Sequence, residues 1–410
     1  MTTAKRERAP RKPLAEFIRD ETTGGIVLAV ATVAALLWAN LSPGTYDDLW
    51  STTVGPSSPL HLDLTLHAWV NDALMAVFFF VVGLEIKREL VVGELKSPRD
   101  AAMPAIAALG GMVVPALIFL ALNTSGSGRE GWGIPIATDI AFVLGALSLL
   151  GSRAPTGLRL FLLAVAIIDD IGAIIVIAVF YSTGIDFAAL AGGAGVVVVV
   201  LAMRKLRIAS PIAYVIPGIV LWFLLHESGV HATIAGVALG LLTPARPIGD
   251  SAVLDELEHR LHPISALAIV PLFALANAGV TLSSDALRDA ASSRIAWGVV
   301  LGLVVGKTVG ITGAALLARR LRVGSLPNDV ETRHLIGGAA LAGIGFTVAL
   351  FVADLTFGGT ENLAVSKIAI LVASIVAGTL GSVVLSSTKT GKADRDGSVG
   401  VDRDGSVRRT

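Results

Sequence analysis

The chain has 410 residues, 54% of them hydrophobic and 16% charged, where soluble domains carry roughly 25% charge. Its 32 basic and 32 acidic residues cancel, the basic ones form no patch suited to nucleic acid, and there is no cysteine. Disulfides, thiolate metal sites and cysteine nucleophiles are therefore excluded.

Apolar runs recur from Gly24 to about Ser387 with no polar block long enough to form a separate domain. The reading is one integral membrane domain, 24–387, between a basic tail, 1–23, and a polar tail, 388–410. The first tail holds Lys5, Arg6, Arg8, Arg11 and Lys12 but no convincing cleavage site, so the first apolar run is expected to stay as an anchor. A membrane helix needs about 20 mostly apolar residues. Twelve spans are predicted, near 24–40, 67–86, 101–122, 132–151, 157–181, 187–203, 211–226, 229–243, 262–280, 296–318, 334–356 and 363–386. The pair around His226–His231 is short enough to be one broken span instead. Basic residues collect on the cytoplasmic side. With the N-terminus inside, only Arg129, Arg288 and Arg294 of the 32 fall outside, and only Lys307 and Lys367 fall within spans. Both termini are therefore predicted to be cytoplasmic.

Taken in order, the outer connection 41–66 carries Pro43, Gly44, Gly55, Pro56 and Pro59, then the alternation Leu60-His-Leu-Asp-Leu64. It is either a small hairpin or an irregular loop. The second span ends at Gly83-Leu-Glu-Ile-Lys-Arg-Glu-Leu90, with Glu85 and Glu89 one turn apart. In the fourth span, Gly131, Gly133 and Pro135 precede Thr138-Asp139. Proline removes a backbone donor and blocks a helical bond, so an interruption is predicted there. Asp139 is then either a cap for the next half-helix or a direct ligand.

The fifth span carries Asp169-Asp170, with about ten apolar residues on either side. Ionisable groups at that depth are costly and mark function. Helix neighbours point about 100° apart, so the two carboxylates are expected to open toward a shared cavity. Hard cations take oxygen ligands, and a carboxylate in low dielectric favours its protonated form. One group that holds either a proton or a cation, but not both, is sufficient for exchange if the site opens to one side at a time. His231 reads as structural. The ninth span opens with Leu257-Glu-His-Arg-Leu-His262, and histidine titrates near neutral pH. With Glu85 and Glu89 this segment is either a pH-sensing gate or ordinary membrane-edge charge. Lys307 lies at mid-span and needs an acid partner, for which Asp139, Asp169 and Asp170 are available. Paired glycines in Gly343-Ile-Gly-Phe-Thr347 weaken the eleventh span and predict a second interruption, mirroring the first. Matched broken segments are the best sequence pointer to a transporter site. The tandem Asp394-Arg-Asp-Gly-Ser-Val399 and Asp402-Arg-Asp-Gly-Ser-Val407 is expected to be disordered.

Ala137-Thr-Asp-Ile-Ala-Phe142, Ile168-Asp-Asp-Ile-Gly-Ala173, Val82-Gly-Leu-Glu-Ile-Lys-Arg-Glu-Leu90, Ser228-Gly-Val-His-Ala-Thr233, Leu272-Phe-Ala-Leu-Ala-Asn-Ala-Gly279 and Gly343-Ile-Gly-Phe-Thr347 resemble the NhaA family of bacterial Na⁺/H⁺ antiporters. The likeness runs in consistent order from Leu14 to Ser387. It implies an all-α fold with inverted-topology repeats and two interrupted helices that cross. It also implies Asp169 and Asp170 as the cation and proton site, with Lys307 paired to Asp169. Asp139 and Lys307 would offset the partial charges of facing helix ends. A cytoplasmic cluster of Glu85, Arg88, Glu89, Glu258, His259 and His262 would activate transport at alkaline pH. Further implications are electrogenic exchange of Na⁺ or Li⁺ for H⁺ in the bacterial cytoplasmic membrane, no cofactor, no enzymatic activity, and a homodimer joined through the 41–66 connection. Asp354 and the repeated tail depart from the family pattern. Two other classes stand beside this reading. An intramembrane aspartyl protease needs its two aspartates on different helices and has no use for Lys307. A passive cation channel needs a continuous pore and no counter-moving proton.

Overall fold

A computed structural model describes residues 14–57, 62–182, 184–208, 210–245 and 252–388, with side chains from residue 22 onward except that of Glu94. The basic residues at the start of the first tail, Leu60 and His61, Arg246, and the repeated segment of the second tail lie outside these residues.

The protein is a nearly all-helical membrane bundle. Helix α1 (Leu14–Leu41) begins ahead of the first apolar run; its span-like part is Thr22–Leu41. A short helix α2 (Pro43–Ser51) and a two-stranded antiparallel hairpin, β1 (Thr53–Val54) with β2 (Leu64–Thr65), form the connection that follows. Thr53 pairs with Thr65 and Val54 with Leu64. Next come α3 (Leu66–Trp69) running through a π-turn into α4 (Met75–Val91), then α5 (Pro98–Leu122). A 3₁₀ segment, Ser127–Ile136, leads to α6 (Ile140–Leu149), followed by α7 (Thr156–Phe180) and α8 (Phe187–Lys205). Helices α9 (Val215–Glu227) and α10 (Thr233–Leu242) are short. Helix α11 (Val253–Ile264) continues through a π-turn into α12 (Val270–Asn277), and α13 (Ser284–Ser292) is a short surface helix. Helix α14 (Arg294–Leu301) passes through a third π-turn into α15 (Lys307–Arg320). The last three are α16 (Thr332–Leu341), α17 (Phe346–Phe357) and α18 (Glu361–Ser386).

Among the described residues, eight helices are long and apolar enough to cross a membrane, or ten if each of two bent pairs counts as one span. The seventh and eighth expected spans fall on the shorter α9 and α10, which the positive-φ Gly229 separates. The apolar connection therefore makes two helices there. Helices α2 and α13 were not anticipated, because short amphipathic helices carry no long apolar run.

Polarity is inverted relative to a soluble domain. Large apolar side chains cover the outside, as at Val198, Ile216 and Ile375, whereas Thr138, Asp139, Asp169, Asp170, Lys307 and Thr347 are buried. Such helices pack through small residues rather than through hydrophobic exclusion. A Cβ at Gly110 would strike the carbonyl of Gly310, and one at Gly310 would strike that of Gly110. Both glycines let the backbones of α5 and α15 touch. One end of the bundle, the basic end, carries Arg88, Arg204, Arg319 and Arg320; the hairpin lies at the other, the hairpin end.

Candidate functional site

The two interruptions meet. The Ser127–Ile136 segment and α6 are bent by 43° around 137–139, and α16 and α17 are bent by the same 43° around 342–345. Pro135 closes the first segment and Asp139 starts α6 as its N-cap, its Oδ1 accepting from Phe142 N at 3.1 Å. Its other oxygen, Oδ2, accepts from Thr347 N at 3.0 Å and Thr347 Oγ1 at 2.7 Å. Backbone joins backbone as well, where Asp139 N donates to Ile344 O at 2.7 Å. One carboxylate thus lies at the positive ends of α6 and α17 together, where anionic charge is stabilised. Gly343 and Gly345 permit the approach. A Cβ on Gly343 would strike Leu303 O, and one on Gly345 would come within 3.1 Å of Ala137 O.

Beside this crossing, α7 presents Asp169 and α15 presents Lys307, both 0% exposed. Lys307 Nζ donates to Asp169 Oδ2 at 2.6 Å. Thr138 Oγ1 reaches the same Oδ2 at 2.9 Å and Ala342 O at 3.0 Å. One hydroxyl proton faces two acceptors, so Thr138 serves one of them at a time. Asp169 Oδ1 is buried without a partner, and an unpaired carboxylate oxygen in low dielectric is an unfavourable place for negative charge.

Asp170 points elsewhere. It lines a cavity of about 80 Å³ with Thr138, Asp139, Glu85, His262 and Thr347. Asp169 does not reach that cavity, so the expectation that both carboxylates open into one space is corrected. Lys307 of α15 holds Asp169 instead. Asp139 meets the starts of both helices, and the Lys307 ammonium is held by Asp169.

At the basic end the expected cluster is partly assembled. Arg88 is hydrogen-bonded to Glu258 and lies 3.7 Å from Glu89, while His262 Nε2 lies 3.7 Å from Glu85 Oε1. Glu85 and His262 also line the cavity, which joins this cluster to Asp170. His259 is exposed and stands apart from these pairs.

A family model described as Na⁺/H⁺ antiporter 1 matches residues 15–385. The chain belongs to this family. Relatives agree with that assignment over nearly full length. The Na⁺/H⁺ antiporter NhaA 1 of Saccharopolyspora erythraea is 48% identical, covering 93% of this chain and 93% of its own. The Na⁺/H⁺ antiporter NhaA of Mycolicibacterium smegmatis is 46% identical, covering 91% and 88%. Among solved structures, the sodium proton antiporter of Methanocaldococcus jannaschii matches with a TM-score of 0.55 at 13% identity, over 91% of this chain and 98% of that one. At that identity the likeness concerns the fold. Within this Na⁺/H⁺ antiporter 1 member, Thr347 is the residue that sequence reasoning missed as a partner of Asp139. The available signal was its place just after the glycine break, as the second residue of α17, where amide and hydroxyl both face an incoming anion.

Proposed function

We propose that the chain exchanges Na⁺ or Li⁺ for protons across the bacterial cytoplasmic membrane, with Asp170 receiving the cargo and Asp169 exchanging its Lys307 partner for a proton. The observation that carries this reading is the division of labour between adjacent carboxylates. One is locked in a dry ion pair with Lys307, and the other faces an 80 Å³ cavity. A small hard cation in that cavity finds the Asp170 oxygens, with Asp139 and the hydroxyls of Thr138 and Thr347 on the same wall. A site with so few charged ligands holds its ion loosely enough to release it.

Protonation of Asp170 removes the charge that retains the cation. Protonation of Asp169 ends the ion pair, and the new acid proton is then placed to donate to Thr138 Oγ1, which turns its own proton to Ala342 O. Lys307 keeps its own proton in this step, so the protons taken up are the two on Asp169 and Asp170. Two protons against one monovalent cation make the cycle electrogenic. Alternating access follows if the two crossed broken spans, an inverted-topology pair, move together.

The basic end is assigned to the cytoplasm, with both termini, from the charge bias of the connections. Glu85, Arg88, Glu89, Glu258 and His262 are then the cytoplasmic funnel. Its ion pairs loosen or tighten with pH, which gives alkaline activation. The hairpin and α2 are the proposed contact between two copies of the chain. A channel would need an open path beyond the cavity. Instead Phe79, Phe273 and Phe351 are buried toward the hairpin end, which favours the carrier.

The test is ΔpH-driven fluorescence dequenching in everted vesicles, parent beside Asp170→Asn, on addition of Na⁺, Li⁺ or K⁺. Dequenching by Na⁺ and Li⁺ in the parent alone is expected. No response to any cation between about pH 6.5 and 9, the range in which histidine-linked activation would appear, would sink the reading.

A further inference from the structure

A second buried polar group lies at the hairpin end, away from the exchange site. Asn71 follows α3 in its π-turn, Asn277 ends α12, and Asp354 is near the end of α17. Asn71 Nδ2 donates to Asp354 Oδ2 at 2.6 Å, and Asn277 Nδ2 donates to Asn71 Oδ1 at 2.7 Å. His67 Nε2 lies 3.0 Å from Asn277 Oδ1 and 3.8 Å from Asp354 Oδ1. Lys367 of α18, only 8% exposed, has Asp354 and Asp47 as its acidic neighbours. Nothing in the exchange step uses these groups.

The same three helices carry a second layer beneath the first. Phe79 lies on α4, Phe273 on α12 one turn before Asn277, and Phe351 on α17 one turn before Asp354. The Phe79 and Phe351 rings are 5.6 Å apart and those of Phe273 and Phe351 6.3 Å apart. A turn deeper, Val270 and Val348 line the cavity of Asp170, and Phe78, beside Phe79 on α4, lines it as well. The path from the hairpin end thus meets a polar layer, then an aromatic layer, then the site. Helix α17 joins them rigidly. Thr347 grips Asp139 at one end, and Asp354 lies seven residues on, about 10 Å at 1.5 Å per residue.

We propose that Asp354 is a positioning residue for outward opening, a latch on α17 that Asn71 holds across the bundle and that keeps the aromatic layer closed toward the hairpin end. Outward access requires the Asn71–Asp354 bond to break. A hydrogen bond to a charged group is among the stronger single contacts in a protein, so its loss shifts the closed-to-open balance by roughly tenfold. The proposal rests on the antiport reading for its sense of direction, but its test does not require transport.

Because the chain has no cysteine, a single Val348→Cys substitution places one thiol in the cavity. A membrane-impermeant thiosulfonate is applied from the hairpin side of intact cells. Adding Asp354→Ala is expected to speed labelling roughly tenfold, and Asn71→Ala to do the same. Combining the two should add little, since both remove one bond. Asp354→Asn keeps an acceptor for Asn71 but loses the charge facing His67 and Lys367, and should fall between. Unchanged labelling in Asp354→Ala, or full additivity of the two alanine variants, overturns the latch. If Asp354→Ala fails to accumulate in the membrane, Asn71→Ala and Asp354→Asn carry the same comparison. Dequenching is scored separately on the parent chain, without the cysteine. Labelling that behaves as expected without Na⁺-driven exchange would overturn the antiport reading and leave the latch standing.

Discussion

Replacing Lys307 by methionine isolates the ion pair at the centre of the site. Methionine keeps most of the stem volume in a fully buried position and removes the ammonium that lies 2.6 Å from Asp169 Oδ2. What remains for Asp169 is Thr138, whose single proton is shared with Ala342 O, and an Oδ1 that already lacks a partner. Breaking a buried pair from one side leaves an uncompensated charge and costs about 3–5 kcal/mol. The carboxylate escapes that cost by taking a proton. The loss is therefore full at alkaline pH, where Asp169 would stay charged, and shrinks as the medium is acidified. Converting Asp169 to asparagine in the same chain removes the orphaned charge, and a neutral pair in this space should recover most of the loss. The assay is thermal denaturation of the detergent-purified protein at pH 6 and pH 9, followed by the fraction that elutes monodisperse. Lys307→Met should be markedly less stable than the parent at the higher pH and near it at the lower, with the double variant near the parent at both. Equal stability of Lys307→Met and parent at pH 9 would refute the reasoning, because it would mean that the pair carries no uncompensated charge when broken.

Competition between proton and cation at Asp170 predicts that the Na⁺ concentration for half-maximal dequenching rises as pH falls; a pH-independent value would contradict a shared site. Thr347→Val removes the Oγ1 contact to Asp139 but keeps the backbone one, so about 1–2 kcal/mol of stability should be lost, with reduced exchange. A thermal-shift comparison with Thr347→Ser, which restores the hydroxyl, checks it. Gly343→Ala drives a methyl group into Leu303 O and should prevent the crossing from closing, seen as loss of folded protein in the membrane. At the hairpin end, burial holds the Tyr46 hydroxyl above its ordinary range. Its one hydroxyl proton is shared between Leu275 O and Ala276 O. That group therefore supports the fold in full below about pH 10, its ordinary value, and the support is lost as the pH climbs from there through the raised value of the folded state. Tyr46→Phe should be somewhat less stable at pH 7 and lose less on going to pH 11, by denaturation at the two values.

The span pattern and the breaks at Pro135 and Gly343–Gly345 were legible because lipid imposes a length and proline and glycine impose their own geometry. Asp169, Asp170 and Lys307 stood out because charge at mid-span has no innocent explanation from composition. Which aspartate faced the cavity was not legible. A periodicity fixes the angle between neighbours, but only the packing of α15 decides which of them meets the lysine. The choice between cap and ligand at Asp139 was likewise beyond the sequence, and the structure shows the capping half of it in two bonds. Asn71, Asn277 and Asp354 meet across more than 200 residues of chain, a distance over which no local pattern speaks. His259, carried over with the cytoplasmic cluster from the family resemblance, is exposed where Glu258 is buried, because a helix turns adjacent residues to different sides.

The sharing of Asp139 by two helix starts has a consequence for how this sequence can change over time. Each interrupted segment has its own breaker, Pro135 for one and Gly343 with Gly345 for the other, but both are stitched to the single residue Asp139, its carboxylate taking Phe142 and Thr347 and its backbone N–H giving to Ile344 O. A substitution that alters one segment changes the fit of the other, so viable replacements there should arrive as matched pairs, one on either side of the stitch. The two segments inherit as a unit although almost two hundred residues of chain lie between them.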